Sequence, residues 1–520
     1  MNSENNHQLA SFFMIVTILS ISFSGCTPGR ATAPASTLPG TVVSSPTLAS
    51  VVAPTSTMPA TAAPTQVNPP TETAIPTSIP IPIITLKKGD FYFSMDGQQN
   101  FMFSRNVGSY QTTDYYQMLD LTRTGGSKFV RVQLGDLGMG YSKTGKVDAF
   151  WAKKWENVFD KAASYGMDVM PVFGAWYEWN DGAGYSTWKS NPFNEANGGP
   201  ARTSLELFKS GSPTQELWLE WMKTLVERWQ GQENILAWEI FSEINMSPGT
   251  TEPAAIDIVN QAASIIRDAD PAQRPVTASL ADFGEWDKYY HSDAIDFINI
   301  HPYPTSGKLD TTIISEVRAM REKYAKPVMI GESGLSFQTP DTNPPTLTTA
   351  SKAELGIQHA IWAALVSGAM NGRALWWEDS VGIYFPALSW PFLNKYAASE
   401  LPAANFINKV DFSGFSPLKA QTSAKITGAA LGNDKMVIGW FRDAGSEPPD
   451  WTLQPVISGE SVKISVPGST PAWQVDFYDT KTGLIISSTA AARQGNSITI
   501  SLPDFTDDMA FKLYTPPAAQ

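Results

Sequence analysis

Two apolar segments of this chain end on glutamate. "NILAWEIFSEIN" (residues 234–245) reads as a buried strand with Glu239 inside it and Glu243 at its exit, and "KPVMIGESG" (326–334) runs out in the same way on Glu332. Burying a carboxylate costs free energy unless it is paired or hydrogen-bonded, so glutamates in this position need a reason. In strict alternation Glu239 and Glu243 share a face. Glu239 is the deeper and suits a structural carboxylate paired with a base, for which Arg131 in "FVRVQLG" is the candidate. Glu243 and Glu332 lie at strand ends, where a substrate could reach them. Two such carboxyls, one protonated and one ionised, are the minimum equipment for breaking a glycosidic bond. Either glutamate alone reads equally well as a solvated rim residue or half of an ion pair; the pair on two strand ends does not.

Strands must bring the two together. Between residues 88 and 400, strand-like runs ("NFMFSRN", "KFVRVQL", "MDVMPVFGAW", "NILAWEIFSE", "PVTASL", "AIDFINIHPY", "KPVMIGES", "RALWWED") alternate with helix-like ones. Most of the helix-like runs end in Gly or a basic residue, as helix C-termini do. Eight strand signals with helical connections suit an α/β fold of the (β/α)8 TIM-barrel type, whose site lies at the C-terminal ends of the strands. Strands four and seven face one another across such a barrel, so Glu243 and Glu332 would converge. The fifth connection, "ADFGEWDKYYHSD", is too short for a long helix. The third, residues 177–213, is long enough to suggest a functional loop. Trp176, Tyr177, Trp179 and Trp188, in or near it, are either stacking platforms for sugar rings or an apolar anchor for the loop.

The flanks differ in kind. Residues 1–25 contain a short apolar run, "LASFFMIVTILSISFSG", followed at once by Cys26, which reads as an export signal with a lipid-accepting cysteine, or else as an uncleaved membrane anchor; on either reading the chain is exported. Residues 26–85 are rich in Pro, Thr, Ala and Ser with hardly a charge. They predict an extended spacer, since they cannot bury enough apolar area to offset their ordering entropy. The barrel would span 86–408. After it, short alternating runs from "AKITGAAL" to "MAFKLYT" predict a small C-terminal antiparallel β-sandwich, 409–520, with docking on the barrel as its simplest role.

Composition narrows the partners. The 520 residues carry a formal net charge of −13, and no Lys/Arg cluster stands out, which argues against a nucleic-acid partner. Four histidines and one cysteine leave little for a zinc site or a thiol mechanism, so neither a metal nor an organic cofactor is expected.

The motifs also carry a family resemblance. Together they are similar to the clan of retaining (β/α)8-barrel glycoside hydrolases, most of all glycoside hydrolase family 5 (cellulase- and mannanase-like) and its relatives, and the N-terminus resembles a bacterial lipoprotein signal with "FSGC" as its lipobox. By this resemblance Glu243 is the acid/base, Glu332 the nucleophile, and Arg131 the arginine supporting the nucleophile. His301 and Tyr303 in "NIHPYP" match the His-x-Tyr ending strand six, and Trp376 or Trp377 in "ALWWEDS" would stack on the sugar. The family's usual Asn before the acid/base, which binds the sugar 2-hydroxyl, is Ser242 here; a hydroxyl can still donate one hydrogen bond, directly or through water. The resemblance implies a surface-tethered, monomeric, retaining β-glycosidase that acts internally on a β-linked polysaccharide such as a β-glucan or β-mannan. Exo action and non-catalytic carbohydrate binding are the alternatives.

Overall fold

The structure is a computed structural model that describes residues 84–515, apart from 96, 108–114, 136–145, 183–186, 282–285, 305, 335–346, 373–397 and 449–450. All described residues belong to one compact unit, Pro80–Gln520.

Its centre is a cylinder of parallel strands: β1 (Met102–Val107), β2 (Phe129–Gln133), β3 (Asp168–Ala175), β4 (Trp238–Ser242), β5 (Val276–Thr277, resuming at Ser279–Leu280), β6 (Ile298–Ile300), β7 (Val328–Ile330) and β8 (Asn371–Gly372). Hydrogen bonding runs β8-β1-β2-β3-β4-β5 and β5-β6-β7, parallel throughout. A side chain closes the last seam. Asn371 Oδ1 accepts from Ile330 N (2.7 Å) while its Nδ2 donates to Ile330 O (2.8 Å) and Ser104 Oγ (2.8 Å). Met370 N adds a backbone bond to Val328 O. The (β/α)8 expectation therefore holds. The strand expected from Arg373 begins two residues earlier, at Asn371, and Trp376 and Trp377 lie outside the described residues.

Helices cover the cylinder: α1 (Tyr115–Gly125), α2 (Ala149–Ser164), α3 (Pro213–Trp229), α4 (Glu252–Ala269), α5 (Asp287–His291), α6 (Leu309–Tyr324) and α7 (Leu347–Ser367). In α2 the buried residues Ala152, Trp155, Val158, Phe159 and Ala162 recur every three or four positions, one stripe against the strands. Asp148 starts that helix by accepting from the Phe150 and Trp151 amides, and Ser212 starts α3 by accepting from Gln215, with Pro213 in the first turn. The short fifth connection yields only α5. Among the described residues no helix is long and apolar enough to cross a membrane.

Two features were not foreseen. Residues Ile84–Thr85, Phe93–Met95 and Gln98–Asn100 form a small antiparallel sheet. The Phe93 ring meets the edge of Phe297, just before β6, so this sheet lies at the end of the barrel opposite the strand exits. The C-terminal sheet has nine antiparallel strands rather than the seven runs legible in sequence. Its two outermost strands, Ser416–Leu418 and Ala420–Gln421, are one continuous segment, which folds the sheet over on itself into a barrel-like sandwich.

Candidate active site

At the strand exits Arg131 is the organising group. It projects from β2, is fully buried, and its five N–H donors meet five acceptors. Nε and Nη2 grip Glu239 (2.6 and 2.8 Å), Nη2 also reaches Ser242 Oγ (2.8 Å), and Nη1 reaches Asn106 Oδ1 (3.1 Å) and Glu332 Oε1 (2.7 Å). One cation thus stands between two carboxylates, and burial, which alone would weaken it as a base, is outweighed by their charges.

Glu332, just past β7, is held at both oxygens. Oε1 also accepts from Gln133 Nε2 (3.1 Å), and Oε2 accepts from Tyr303 OH (3.1 Å). Glu243, just past β4, lies with Oε1 2.8 Å from His301 Nδ1, which is itself 3.8 Å from Glu332 Oε2. A carboxyl oxygen of Glu243 and one of Glu332 come within 4.8 Å. So close an approach suits the about 5 Å separation of a carboxyl pair working by double displacement better than the about 6.5–9.5 Å that leaves room for a water between them.

Glu243 gets there through its backbone. Glu239 and Ser242 both contact Arg131, while Phe241 packs outward against Trp218 and Phe208, so strict alternation slips within β4. Glu243 then adopts a left-handed conformation (φ 55°, ψ 48°), and its amide is caught by Ser279 Oγ, which also donates to Glu239. A non-glycine residue in this region costs on the order of 1–2 kcal/mol, and such strain collects at functional sites.

The two carboxyls are pulled apart electrostatically. Burial raises the Glu243 pKa and the nearby Glu332 charge adds to this, outweighing the hydrogen bond from His301. Burial acts on Glu332 too, but the charges of His301 and Arg131 and the hydrogen bonds from Arg131 and Tyr303 hold its pKa below the usual carboxylate value. For His301 burial disfavours the charged ring; Glu332 and Glu243 overcome it and raise its pKa. The two carboxyls are thus shifted in opposite directions, as chemistry that uses a general acid beside an anionic nucleophile requires.

Glu243, His301 and Glu332 offer the only grouping of possible metal ligands among the described residues. The Arg131 cation already bonded to Glu332 supplies the positive charge that a metal would bring, so the cluster suits acid–base chemistry better than a metal cage.

Arg131, Glu243, Glu332, His301 and Tyr303 meet at one point. Ser242 is there too, but its oxygen accepts from Arg131, a partner the sequence did not indicate. Trp179 is corrected: it is fully buried, its ring packed on Trp188 and Phe193, and it anchors the third connection without offering a face to a sugar. Trp176 and Trp188 are buried as well. Tyr177 is half-buried and donates to Gln133 Oε1 (2.9 Å). Asn106, Gln133 and Ser279 went unread, since a lone amide or hydroxyl at a strand end carries no signature. Cys26 lies outside the described residues.

The family model for cellulase (glycosyl hydrolase family 5) matches residues 93–367. Among solved structures, a glycoside hydrolase family 5 protein from Bacteroides vulgatus aligns with TM-score 0.54 at 12% identity, over 83% of this chain and 92% of that one. A GH30 endoxylanase from Clostridium papyrosolvens aligns with TM-score 0.47 at 14% identity, over 81% and 97%. At 12% identity the first of these likenesses speaks for fold alone. No curated protein matches the chain. The family match takes in β1 through α7, with both carboxyl-bearing strand ends inside it, and on that ground the chain belongs to glycosyl hydrolase family 5 and is a retaining O-glycosyl hydrolase.

Proposed function

We propose that the protein is an endo-acting β-glycosidase for a β-linked polysaccharide such as a β-glucan or β-mannan, with Glu332 as nucleophile and Glu243 as acid/base. The observation that carries this is the opposite pull on two converging carboxyls, Glu243 raised and Glu332 lowered. In the first step a Glu332 oxygen bonds to the anomeric carbon as the bond to the leaving oxygen breaks, and that oxygen takes the Glu243 proton. In the second, ionised Glu243 removes a proton from water, the water oxygen bonds to the anomeric carbon, and Glu332 leaves as carboxylate. Arg131 and Tyr303 hold Glu332, His301 holds Glu243, and Ser242 helps seat Arg131. Trp376 or Trp377 would stack on the sugar.

Residues 86–408 would form the catalytic domain and 409–520 an accessory sandwich. The apolar run ending at Cys26 supports a lipid-anchored, monomeric protein on the outer side of a membrane, with 26–85 as spacer. Cys26→Ser should then move the protein from the membrane fraction to the soluble one.

The deciding experiment is reducing-sugar release from β-glucans, β-mannans and xylans by the protein beginning near residue 86, beside Glu332→Ala and Glu243→Ala. Release from one polymer, lowered by about 10²–10⁴-fold in Glu243→Ala and abolished in Glu332→Ala, is expected. Binding without release by the unaltered protein would move it to the non-catalytic class, and products confined to single terminal sugars would make it exo-acting.

A further inference from the structure

An ionised carboxylate has about four lone-pair positions, two on each oxygen, and only a free one can attack carbon. On Glu332 they are unequally used. Oε1 accepts from Arg131 Nη1 (2.7 Å) and Gln133 Nε2 (3.1 Å), which fills both of its positions. Oε2 accepts from Tyr303 OH (3.1 Å) and lies on the side of His301 and Glu243.

Gln133 is placed for this by its own surroundings. It sits two residues beyond Arg131 on β2, so both side chains leave the same face of the strand, and it is buried. An amide can turn either end toward a neighbour, but a carboxylate only accepts, so Nε2 must face Glu332. The other end, Oε1, receives the Tyr177 hydroxyl (2.9 Å). Tyr177 belongs to the short turn Trp176–Trp179, wedged in place by Trp179 against Trp188 and Phe193. A chain of contacts thus runs from the root of the long third connection to Glu332.

We propose that Gln133, oriented by Tyr177, is a positioning residue that occupies the second lone pair of Glu332 Oε1 and so leaves Oε2 as the oxygen that attacks the anomeric carbon. This rests on Glu332 being the nucleophile. When Oε2 forms the glycosyl ester, Oε1 becomes the ester carbonyl, a weaker acceptor; when the ester breaks, negative charge returns to the carboxylate and both donors bind it more strongly. Gln133 therefore favours the ionised resting nucleophile and its release in the second step.

Removing the donor takes away a hydrogen bond made only to the ionised form, so the Glu332 pKa must rise. The test has a substrate-free arm and a kinetic arm. Carbon-13 NMR of glutamate-labelled protein follows the Glu332 carboxyl against pH, its signal assigned by its loss in Glu332→Gln. In Gln133→Leu and Gln133→Met the midpoint should move up by roughly half to one unit, in Tyr177→Phe by less, and in Gln133→Glu by more. The acid limb of kcat/KM should move in step on whichever polymer the unaltered protein cleaves, and slower release of the ester should lower kcat roughly ten-fold with KM falling alongside it. A packing role alone would lower thermal stability or activity and leave both midpoints in place. An unmoved carboxyl midpoint in Gln133→Leu and Gln133→Met would overturn the proposal. A moved carboxyl with an unmoved acid limb would overturn it too, by separating Glu332 from the ionisation that activity needs. Full activity in Glu332→Ala would instead bring down the assignment of the nucleophile, so the two failures are distinguishable.

Discussion

At the residue scale the site is one cation shared among acids. Arg131 binds Glu239 and Glu332 together, and burial, helped by the nearby Glu332 charge, raises the Glu243 pKa. With the proposed roles, activity needs Glu332 ionised and Glu243 protonated. The acid limb of kcat/KM should therefore fall below the ordinary glutamate range, because Glu332 is lowered, and the alkaline limb above it, because Glu243 is raised. With an activated aryl glycoside, whose leaving group needs no proton, Glu243→Gln should keep the acid limb and lose the alkaline one; an alkaline limb that persisted would assign it to His301. Arg131→Met should be the most damaging single change here, since it strands Glu239 and Glu332 as buried anions. A loss on the order of 3–5 kcal/mol is expected by denaturant titration. Much of this was legible: the Glu239–Arg131 pair followed from depth in a strand, and the Glu243–Glu332 pair from the opposition of strands four and seven. What was not legible depends on partners. Gln133 and Ser279 matter only because Glu332 and Glu239 lie opposite them, and Trp179 reads the same in sequence whether its ring meets a sugar or Phe193.

At the element scale the strand count was legible because period-two apolar runs bounded by helices leave few alternatives. The exact ends were not, because they depend on hydrogen-bond partners. β8 is the example: its described part is Asn371–Gly372, and it joins β7 largely through the Asn371 amide, a side chain doing what backbone does elsewhere in the barrel. Asn371→Ala should leave the buried Ile330 N–H without its acceptor and Ser104 without its donor, at a cost of roughly 2–4 kcal/mol, several degrees in the thermal midpoint. Asn371→Asp keeps the acceptor but loses both donations and sets an anion near Ile330 O, so it should be no better. Parity with the unaltered protein in either variant would mean that the seam is carried by other contacts, the Met370 bond to Val328 among them. The left-handed turn at Glu243 was hidden for the same kind of reason. Alternation put Glu243 on the right face, whereas the structure slips the register and recovers the position through a residue whose φ no apolar pattern reports.

At the scale of the whole molecule, the C-terminal sheet shares a core with the barrel. Val437 and Phe441 point into the sheet's own interior with Val475, Phe477 and Phe511, while the alternate residues Ile438 and Trp440, with Leu431 and Tyr478, belong to the same apolar cluster as α7 and the barrel strands. That is why "KMVIGWFRD" is nearly continuously apolar: both faces of the strand are covered. Polar ties reinforce the seam. Arg442 pairs with Asp310 at the start of α6 (2.6 Å), both buried, and His359 of α7 lies 2.9 Å from Asp507. Lys308 and Glu447, at 2.9 Å, join the sheet's loop to the connection that follows Tyr303. A barrel cut after residue 408 would expose the faces that Trp440 and Tyr478 cover, so it should be recovered poorly or unfold at a lower temperature than the whole protein. Calorimetry of the protein beginning near residue 86 should show one cooperative transition. Arg442→Ala, which leaves Asp310 buried and unpaired, should lower that transition by an amount on the order of 3–5 kcal/mol without splitting it. Two separable transitions, with the sheet melting alone, would mean that the shared cluster couples the parts weakly, and the sandwich would then be a free accessory rather than the outer wall of the barrel.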